Sequence, residues 1–168
     1  MNVAGIPDYL LAPLADAPAG AWEAAPPGAW TPGQIVSHIA TAIGNSATGL
    51  ASRADKPAME RRPRTLAQVV FWQVVSRTGW FGPRRRAPET SLPEAHPDRD
   101  ATERKLRDAV ARFINTADAL LPGRARDLYL KHPVLGDLTI EEWKLFHVRH
   151  TAHHRRQLMR RLALLRTT

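Results

Sequence analysis

The sequence predicts an all-α protein, a four-helix bundle with a short additional helix at its N-terminus. Three observations lead to this fold class. Apolar residues recur at helical spacing in several long segments, and hydroxyl side chains mark where most of these segments begin. No segment alternates apolar and polar residues between hairpin turns, as a half-buried strand does. The chain of 168 residues is long enough for one domain with its own core, and we expect residues 1–168 to form it.

The first two helices are predicted from the residues at their boundaries. Residues 7–17 form the short first helix, and the segment 17–28 is a loop because it is rich in alanine and proline. Thr31 and Pro32 are a strong helix start, since hydroxyl caps and a proline at the first helical position are both favoured. Apolar residues at helical spacing extend this second helix to about Ala51.

Two further helices lie in the middle of the chain. Thr65 caps the third helix, whose apolar positions include Leu66, Val69, Val70, Phe71, Val74 and Val75. A long irregular connection follows over residues 79–97, which contain four prolines and three consecutive arginines. The fourth helix runs from about Ala101 to Leu120, and Pro122 is expected to end it.

The last helix is predicted to begin at Thr139, after a turn at Gly136 and Asp137. Thr139 and Glu142 have the spacing of a capping box, in which each side chain accepts a hydrogen bond from a free amide of the first turn. The helical pattern then continues to about Leu165. This helix carries most of the residues that indicate a function.

The composition narrows the function classes. The formal charge is +8, but the basic residues are dispersed in short runs, without the alternating aromatic residues of a single-strand binding surface. The runs are Arg61–Arg62, Arg64, Arg84–Arg86, Arg155–Arg156 and Arg160–Arg161. We therefore interpret them as a solvated basic surface, and the sequence disfavours a nucleic-acid role.

The location is predicted from what the sequence lacks. The chain contains no cysteine, which excludes disulfides, thiolate ligands and a cysteine nucleophile, and favours a reducing cytoplasm. No segment approaches the roughly 20 apolar residues of a membrane span, and the N-terminus has no secretion signal. We expect a cytoplasmic protein that does not associate with a membrane.

Histidines are concentrated on one face of the last helix. Four of the seven lie between His147 and His154, and three of these share a stripe with apolar residues. The stripe comprises Trp143, His147, His150, His154, Leu158, Arg161 and Leu165. Since Trp143 and Leu158 indicate that it faces the core, the histidines stand where a bundle ordinarily places leucine. Buried imidazoles need partners, and either a hydrogen-bonded network or a metal ion would satisfy them.

The spacing favours a metal. His150 and His154 are four residues apart, so their rings on successive turns can reach one ion, as in the H-x-x-x-H arrangement of metalloproteases. The glutamate of that motif is missing between them, which disfavours a peptidase. His38 is a candidate third ligand, because it lies in the amphipathic second helix. His153 points away from the centre of the stripe, while His147 is able to bind the metal, orient another ligand or contact a substrate.

Three segments resemble the DinB-like superfamily of metal-binding four-helix bundles. They are Trp30–His38 (WTPGQIVSH), His132–Trp143 (HPVLGDLTIEEW) and Leu145–Leu158 (LFHVRHTAHHRRQL). The resemblance implies that His38, His150 and His154 bind a divalent metal, for which zinc or nickel is expected. It also implies a homodimer, and a metal position open to solvent or to a small-molecule substrate.

Characterised members of that superfamily include transferases and an isomerase that use thiols such as bacillithiol, mycothiol or glutathione. The resemblance therefore implies a metal-dependent thiol S-transferase. From their positions in the sequence, His147, His153, Trp143 and Arg149 are candidates for supporting the metal or contacting the substrate. A metal-dependent hydrolase, and a bundle with a structural or sensory metal, remain as alternatives. The first helix is shorter here than in many relatives, which leaves the substrate pocket and the dimer interface open.

Overall fold

The computed structural model describes residues 1–82 and 87–165. In these ranges the protein consists mainly of helix, which confirms the predicted all-α class. The helices are α1 (Ile6–Ala15), α2 (Pro32–Ala51), α3 (Leu66–Thr78), α4 (Arg99–Arg124) and α5 (Ile140–Leu165), with a short 3-10 helix at Glu89–Ser91. The strands are β1 (Leu130–His132) and β2 (Gly136–Leu138). No helix of the described ranges is both long enough and apolar enough to cross a membrane.

The core lies between α2 and α4, which pack along each other. Ile35, Ile39 and Ile43 of α2 are fully buried, as are Leu106 and Phe113 of α4. Helix α5 packs on α2, α1 packs on both α4 and α5, and α3 packs on α5. Helices α2 and α5 therefore face each other, which brings the two segments that carry the candidate histidines together.

Both predicted capping sites of these two helices are present. The Thr31 hydroxyl accepts from the amide of Gln34 at 3.1 Å, and the Gln34 side chain accepts from the amide of Thr31 at 3.1 Å. Thr139 and Glu142 make the same reciprocal pair, at 3.1 and 2.9 Å. Such boxes satisfy amides that the first helical turn leaves free, so they fix where α2 and α5 begin.

The hairpin before α5 was not predicted from the sequence. Strands β1 and β2 pair antiparallel, with Leu130 opposite Leu138 and His132 opposite Gly136. Gly136 has a φ of 78°, a left-handed conformation that glycine adopts without a steric penalty. The turn predicted at Gly136 and Asp137 is wrong, because these residues begin β2. Strands of three residues are too short to show an alternating pattern.

Helix α4 is longer than predicted. It begins at Arg99, where the side chain of Asp98 accepts from the amide of Ala101 at 2.8 Å, and it ends at Arg124. Pro122 lies inside the last turn and does not end the helix. A proline removes one backbone donor and crowds the preceding turn. Because only two helical residues follow Pro122, this disturbance falls at the C-terminal end of α4 and does not stop the helix earlier.

Helix α3 is capped at Thr65 as predicted, and it ends at Gly79, which has a φ of 63°. Only part of its apolar surface is buried, however. Trp72 and Val75 face the core, while Leu66 and Val70 are 80% and 55% exposed. One stretch of apolar residues on this helix therefore lies at the surface of the chain.

The connection between α3 and α4 contains the 3-10 helix, which packs against α2. Ser91 at its end is buried. The three consecutive arginines, Arg84 to Arg86, lie outside the described residues. The segment that the sequence predicts as irregular thus brings an ordered turn to the side of α2 that carries His38.

Candidate metal centre

Three histidines meet between α2 and α5. The Nε2 atom of His150 lies 3.0 Å from Nε2 of His154 and 3.3 Å from Nε2 of His38. All three candidate ligand atoms lie within 4.8 Å of one another, an arrangement that could hold a metal ion. We call His38, His150 and His154 the histidine cluster. No carboxylate joins it in residues 1–82 and 87–165.

The other ring nitrogens of two of these histidines have carbonyl partners. Nδ1 of His38 lies 2.5 Å from the backbone oxygen of Ser91, and Nδ1 of His154 lies 2.9 Å from Oε1 of Gln157. A carbonyl oxygen only accepts, so each Nδ1 must carry the hydrogen. In the neutral ring the Nε2 atom is then an unprotonated lone pair, and both lone pairs face Nε2 of His150.

A cation fits this cluster better than hydrogen bonds alone. The Nε2 atom of His150 can donate one hydrogen to one neighbour, which leaves the lone pair of the other neighbour without a donor. Two imidazole nitrogens on one tetrahedral zinc, each at about 2.0–2.1 Å, lie about 3.3 Å apart. The separations of 3.0 and 3.3 Å are close to that value. Metal-bound histidines also commonly donate their second N–H to a carbonyl, as His38 and His154 do.

The surroundings keep the cluster uncharged. Burial lowers the pKa of His38, His150 and His154 below the ordinary value of 6.5. For His150, repulsion from the neighbouring rings of His154 and His38, if they were protonated, lowers the pKa further. The hydrogen bond to Ser91 opposes this effect at His38, without reversing it. Neutral imidazole is the form that binds a metal, so the cluster is in that form near pH 7.

Aromatic rings enclose the cluster. Trp30 lies 4.9 Å from the ring of His38 and is stacked 6.1 Å from that of His154. Phe81 is 5.3 Å from the ring of His150, and Phe146 is stacked on the same ring at 5.1 Å. Such walls limit the access of water and strengthen electrostatic interactions inside the site.

Five residues around the cluster were not predicted from the sequence as site residues. They are Trp30, Phe81, Ser91, Phe146 and Gln157. Gln157 had a usable signal, because it follows His154 by three residues and so shares its face of the helix. Phe81 and Ser91 lie in the irregular connection, where no periodic pattern shows which residues turn inward. Trp30 directly precedes the cap of α2, a position with no fixed orientation.

The structure places His153 and His147 beside the cluster. His153 is half-buried, with its ring 5.2 Å from those of Phe81 and His154, and its Nε2 lies 3.1 Å from Nε2 of Gln157. His147 is buried one turn earlier, with its ring 4.9 Å from that of Phe113. Nε2 of His147 has no hydrogen-bond partner among the described residues. Burial lowers the pKa of His147 to about 3.

Trp143 and Arg149 hold neighbouring elements against α5. Nε1 of Trp143 donates to the backbone oxygen of Leu130 at 3.1 Å, which attaches the hairpin to the helix. Nε of Arg149 donates to the backbone oxygen of Ser76 at 2.8 Å, which attaches the end of α3. Their roles in contacting a substrate stay predictions.

The fold and this geometry define a helical protein with a buried three-histidine cluster that could hold a metal. Residues 19–161 match the family described as "Protein of unknown function (DUF1569)", and the chain belongs to that family. The matched region contains all three histidines of the cluster. Comparison with curated proteins and with solved structures gave no match.

Proposed function

We propose that this chain is a DinB-like protein that binds one divalent ion, zinc or nickel, through Nε2 of His38, His150 and His154. We further propose that, with this ion bound, the protein acts as a metal-dependent thiol S-transferase. The observation that carries the metal proposal is the convergence of the three Nε2 atoms, two of them unprotonated because their Nδ1 atoms face carbonyl oxygens. The resemblance of the histidine-bearing segments to the DinB-like superfamily supports the same ligand set.

The donor set supports the choice of ion. Three imidazole nitrogens suit zinc and nickel, whereas magnesium and calcium prefer oxygen ligands. Neutral ligands also leave the ion its full double-positive charge. The chain has no cysteine that could replace an imidazole. Zinc and nickel are the two ions that we expect, and metal analysis of the purified protein distinguishes them from each other and from iron or manganese.

The proposed chemistry needs a position next to the ion that a ligand can reach. The His150 residue is partly exposed, and we infer that a ligand approaches the ion from its side. A bound ion would supply Lewis acidity there, lowering the pKa of a thiol such as bacillithiol, mycothiol or glutathione toward neutrality. The aromatic walls exclude water, while Ser91 and Gln157 orient two of the imidazoles. A hydrolase would need a base, and no carboxylate joins the cluster in the described ranges.

Two further expectations stay predictions. A homodimer is compatible with the exposed apolar residues of α3, Leu66, Val69 and Val70. A cytoplasmic location is compatible with a chain that has no cysteine. Neither one is needed for the metal site, which is formed within one chain.

Metal analysis and turnover test the proposal together. We expect purified protein to carry about one zinc or nickel ion per chain, since the cluster offers one set of ligands. His150→Ala and His154→Ala should lose the ion, whereas the control His96→Ala, at an exposed loop position, should keep it. Metal-loaded protein should then transfer thiols to a panel of electrophiles, and protein treated with chelator should not. Full metal content in either cluster variant rejects the site, and no metal-dependent turnover with any thiol rejects the transferase.

A further inference from the structure

Two adjacent histidines of α5 contact opposite ends of the same side-chain amide, that of Gln157. His153 and His154 are neighbours in the chain, and their rings lie 5.2 Å apart. Both carry the same two nitrogens, yet only His154 belongs to the histidine cluster. Gln157 lies between them, and its side-chain amide contacts both rings.

The oxygen of that amide accepts a hydrogen bond from one ring, and its nitrogen donates a hydrogen bond to the other. Oε1 of Gln157 lies 2.9 Å from Nδ1 of His154, and because this oxygen only accepts, Nδ1 of His154 carries the hydrogen. Nε2 of Gln157 lies 3.1 Å from Nε2 of His153, and because this nitrogen only donates, it occupies the lone pair of His153. One residue therefore frees the Nε2 lone pair of His154 and occupies that of His153.

We propose that Gln157 is a positioning residue that holds His154 in the tautomer with a free Nε2, the form that the metal site needs, while its amide nitrogen occupies Nε2 of His153. The proposal rests on the metal binding proposed above. Without the amide, His154 can take the tautomer with hydrogen on Nε2, which cannot bind a metal through that atom. His153 then gains a free lone pair on the same helix, next to the cluster.

Two substitutions separate this role from simple packing. Gln157→Leu keeps much of the side-chain volume and removes both hydrogen bonds. Gln157→Glu keeps an acceptor for Nδ1 of His154, and a carboxylate in that position increases the basicity of a metal-bound imidazole. The matched control is Gln73→Leu, the same chemical change at an exposed position of α3. If Gln157 only filled space, Gln157→Leu would not bind zinc more weakly than Gln157→Glu.

The experiment measures the affinity for zinc by competition with a chromophoric chelator, and the tautomer of His154 in metal-free protein by 15N NMR. We expect Gln157→Leu to bind zinc about 10–100-fold more weakly, the range for losing the hydrogen-bond partner of a metal-bound histidine. Gln157→Glu should bind at least as tightly as the natural sequence, and Gln73→Leu should be unchanged. The natural protein should show His154 with its hydrogen on Nδ1, and Gln157→Leu should show a mixture of tautomers.

The two readouts separate this proposal from the proposed function. If the natural protein binds no metal, the metal site fails, and the tautomer of His154 still decides the role of Gln157. If metal binds and neither the affinity nor the tautomer responds to Gln157→Leu, the positioning role is overturned and the metal site stands. If Gln157→Leu does not fold, the natural protein decides: hydrogen on Nδ1 of His154 supports the proposal, and hydrogen on Nε2 overturns it.

Discussion

At the scale of single residues, the buried histidines are distinguished by the partner of one ring nitrogen. Nδ1 of His38 and Nδ1 of His154 face carbonyl oxygens and must carry hydrogen. Nδ1 of His132 accepts from two backbone amides of the hairpin, at 3.1 and 3.2 Å, and must be a lone pair. Nε2 of His147 has no partner among the described residues. Similar degrees of burial therefore lead to different chemistry, because a single hydrogen bond fixes which nitrogen is free.

A glycine near the start of α2, the helix that carries His38, allows a close contact with Trp22. A Cβ atom on Gly33 would lie 2.5 Å from Nε1 and 2.6 Å from Cε2 of Trp22. The indole cannot move aside freely, because its Nε1 donates to the backbone oxygen of Pro97 at 2.7 Å. We expect Gly33→Ala to lower the free energy of unfolding by about 1–3 kcal/mol, the usual cost of overpacking a core. Urea unfolding monitored by circular dichroism measures the change.

The matched control for Gly33 is Gly123, which is exposed in the last turn of α4. A Cβ atom at Gly123 meets nothing within 4 Å. Gly123→Ala should therefore leave the stability unchanged or raise it by about 0.5–1 kcal/mol, since alanine is the better helix former. Equal effects of the two substitutions would show that the contact with Trp22 does not limit position 33.

At the scale of elements, the sequence predicted those features that depend on residues within one helical turn of each other. Thr31 and Thr139 accept hydrogen bonds three residues away, so the starts of α2 and α5 could be predicted from the sequence. The helical phase of α5 likewise brought His150 and His154 to one face. The carbonyl of Ser91, in contrast, lies 53 residues from its partner His38. The hairpin was missed for a related reason, because it is held by packing and by arginines from a distant loop and has no periodic pattern of its own.

The contact between Arg62 and Asp137 allows a test of how much the distant arginine loop stabilises the hairpin. Asp137 of β2 is 2% exposed and accepts from the amide and Nε of Arg62, at 3.1 and 2.8 Å. The hydrogen bonds from Arg62 hold the pKa of Asp137 below its ordinary value. Asp137→Asn removes the charge and one acceptor, so we expect the midpoint of thermal unfolding to fall by roughly 5 °C. Differential scanning calorimetry at pH 7 measures this shift.

An exposed ion pair provides the comparison for Asp137. Glu94 and Lys105 lie 2.7 Å apart, with both side chains about half exposed to solvent. Exposed pairs contribute little, so Glu94→Gln should shift the midpoint by no more than about 2 °C. If Asp137→Asn is equally mild, the contact with Arg62 does not anchor the hairpin, and apolar packing holds it in place.

At the scale of the whole molecule, the polar site and the apolar core share α2 and α5. The isoleucines of α2 pack on α4, and His38 on the same helix faces α5 and the 3-10 helix. Outside the cluster, His147 is buried and His132 is partly buried, with rings 5.5 and 5.4 Å from that of Trp143. A chain with a formal charge of +8 thus folds around five imidazoles that its interior keeps neutral. Stability must therefore depend on pH in a defined direction.

Acid should unfold this protein through its buried histidines. Burial lowers the pKa of His132 to about 4 and that of His147 to about 3, from the ordinary value of 6.5. Below pH 6.5 the unfolded chain therefore binds protons at these residues and the folded chain does not. The free energy of unfolding should fall by up to about 1.4 kcal/mol per pH unit for each histidine, until the folded pKa is reached. Urea unfolding of metal-free protein between pH 7 and pH 4.5 measures this slope.

Replacing one of these imidazoles tests the cause of the slope. His147→Leu removes an imidazole that contacts Phe113 and Trp143 and whose Nε2 has no hydrogen-bond partner in residues 1–82 and 87–165. At pH 7 the substitution should therefore leave stability unchanged or raise it. Below pH 6 its slope should be shallower by about 1.4 kcal/mol per pH unit, because one proton fewer binds on unfolding. His96→Ala, at an exposed position, should keep the natural slope. An unchanged slope in His147→Leu would mean that His147 takes up its proton equally in both states, and that the folded interior does not hold it neutral.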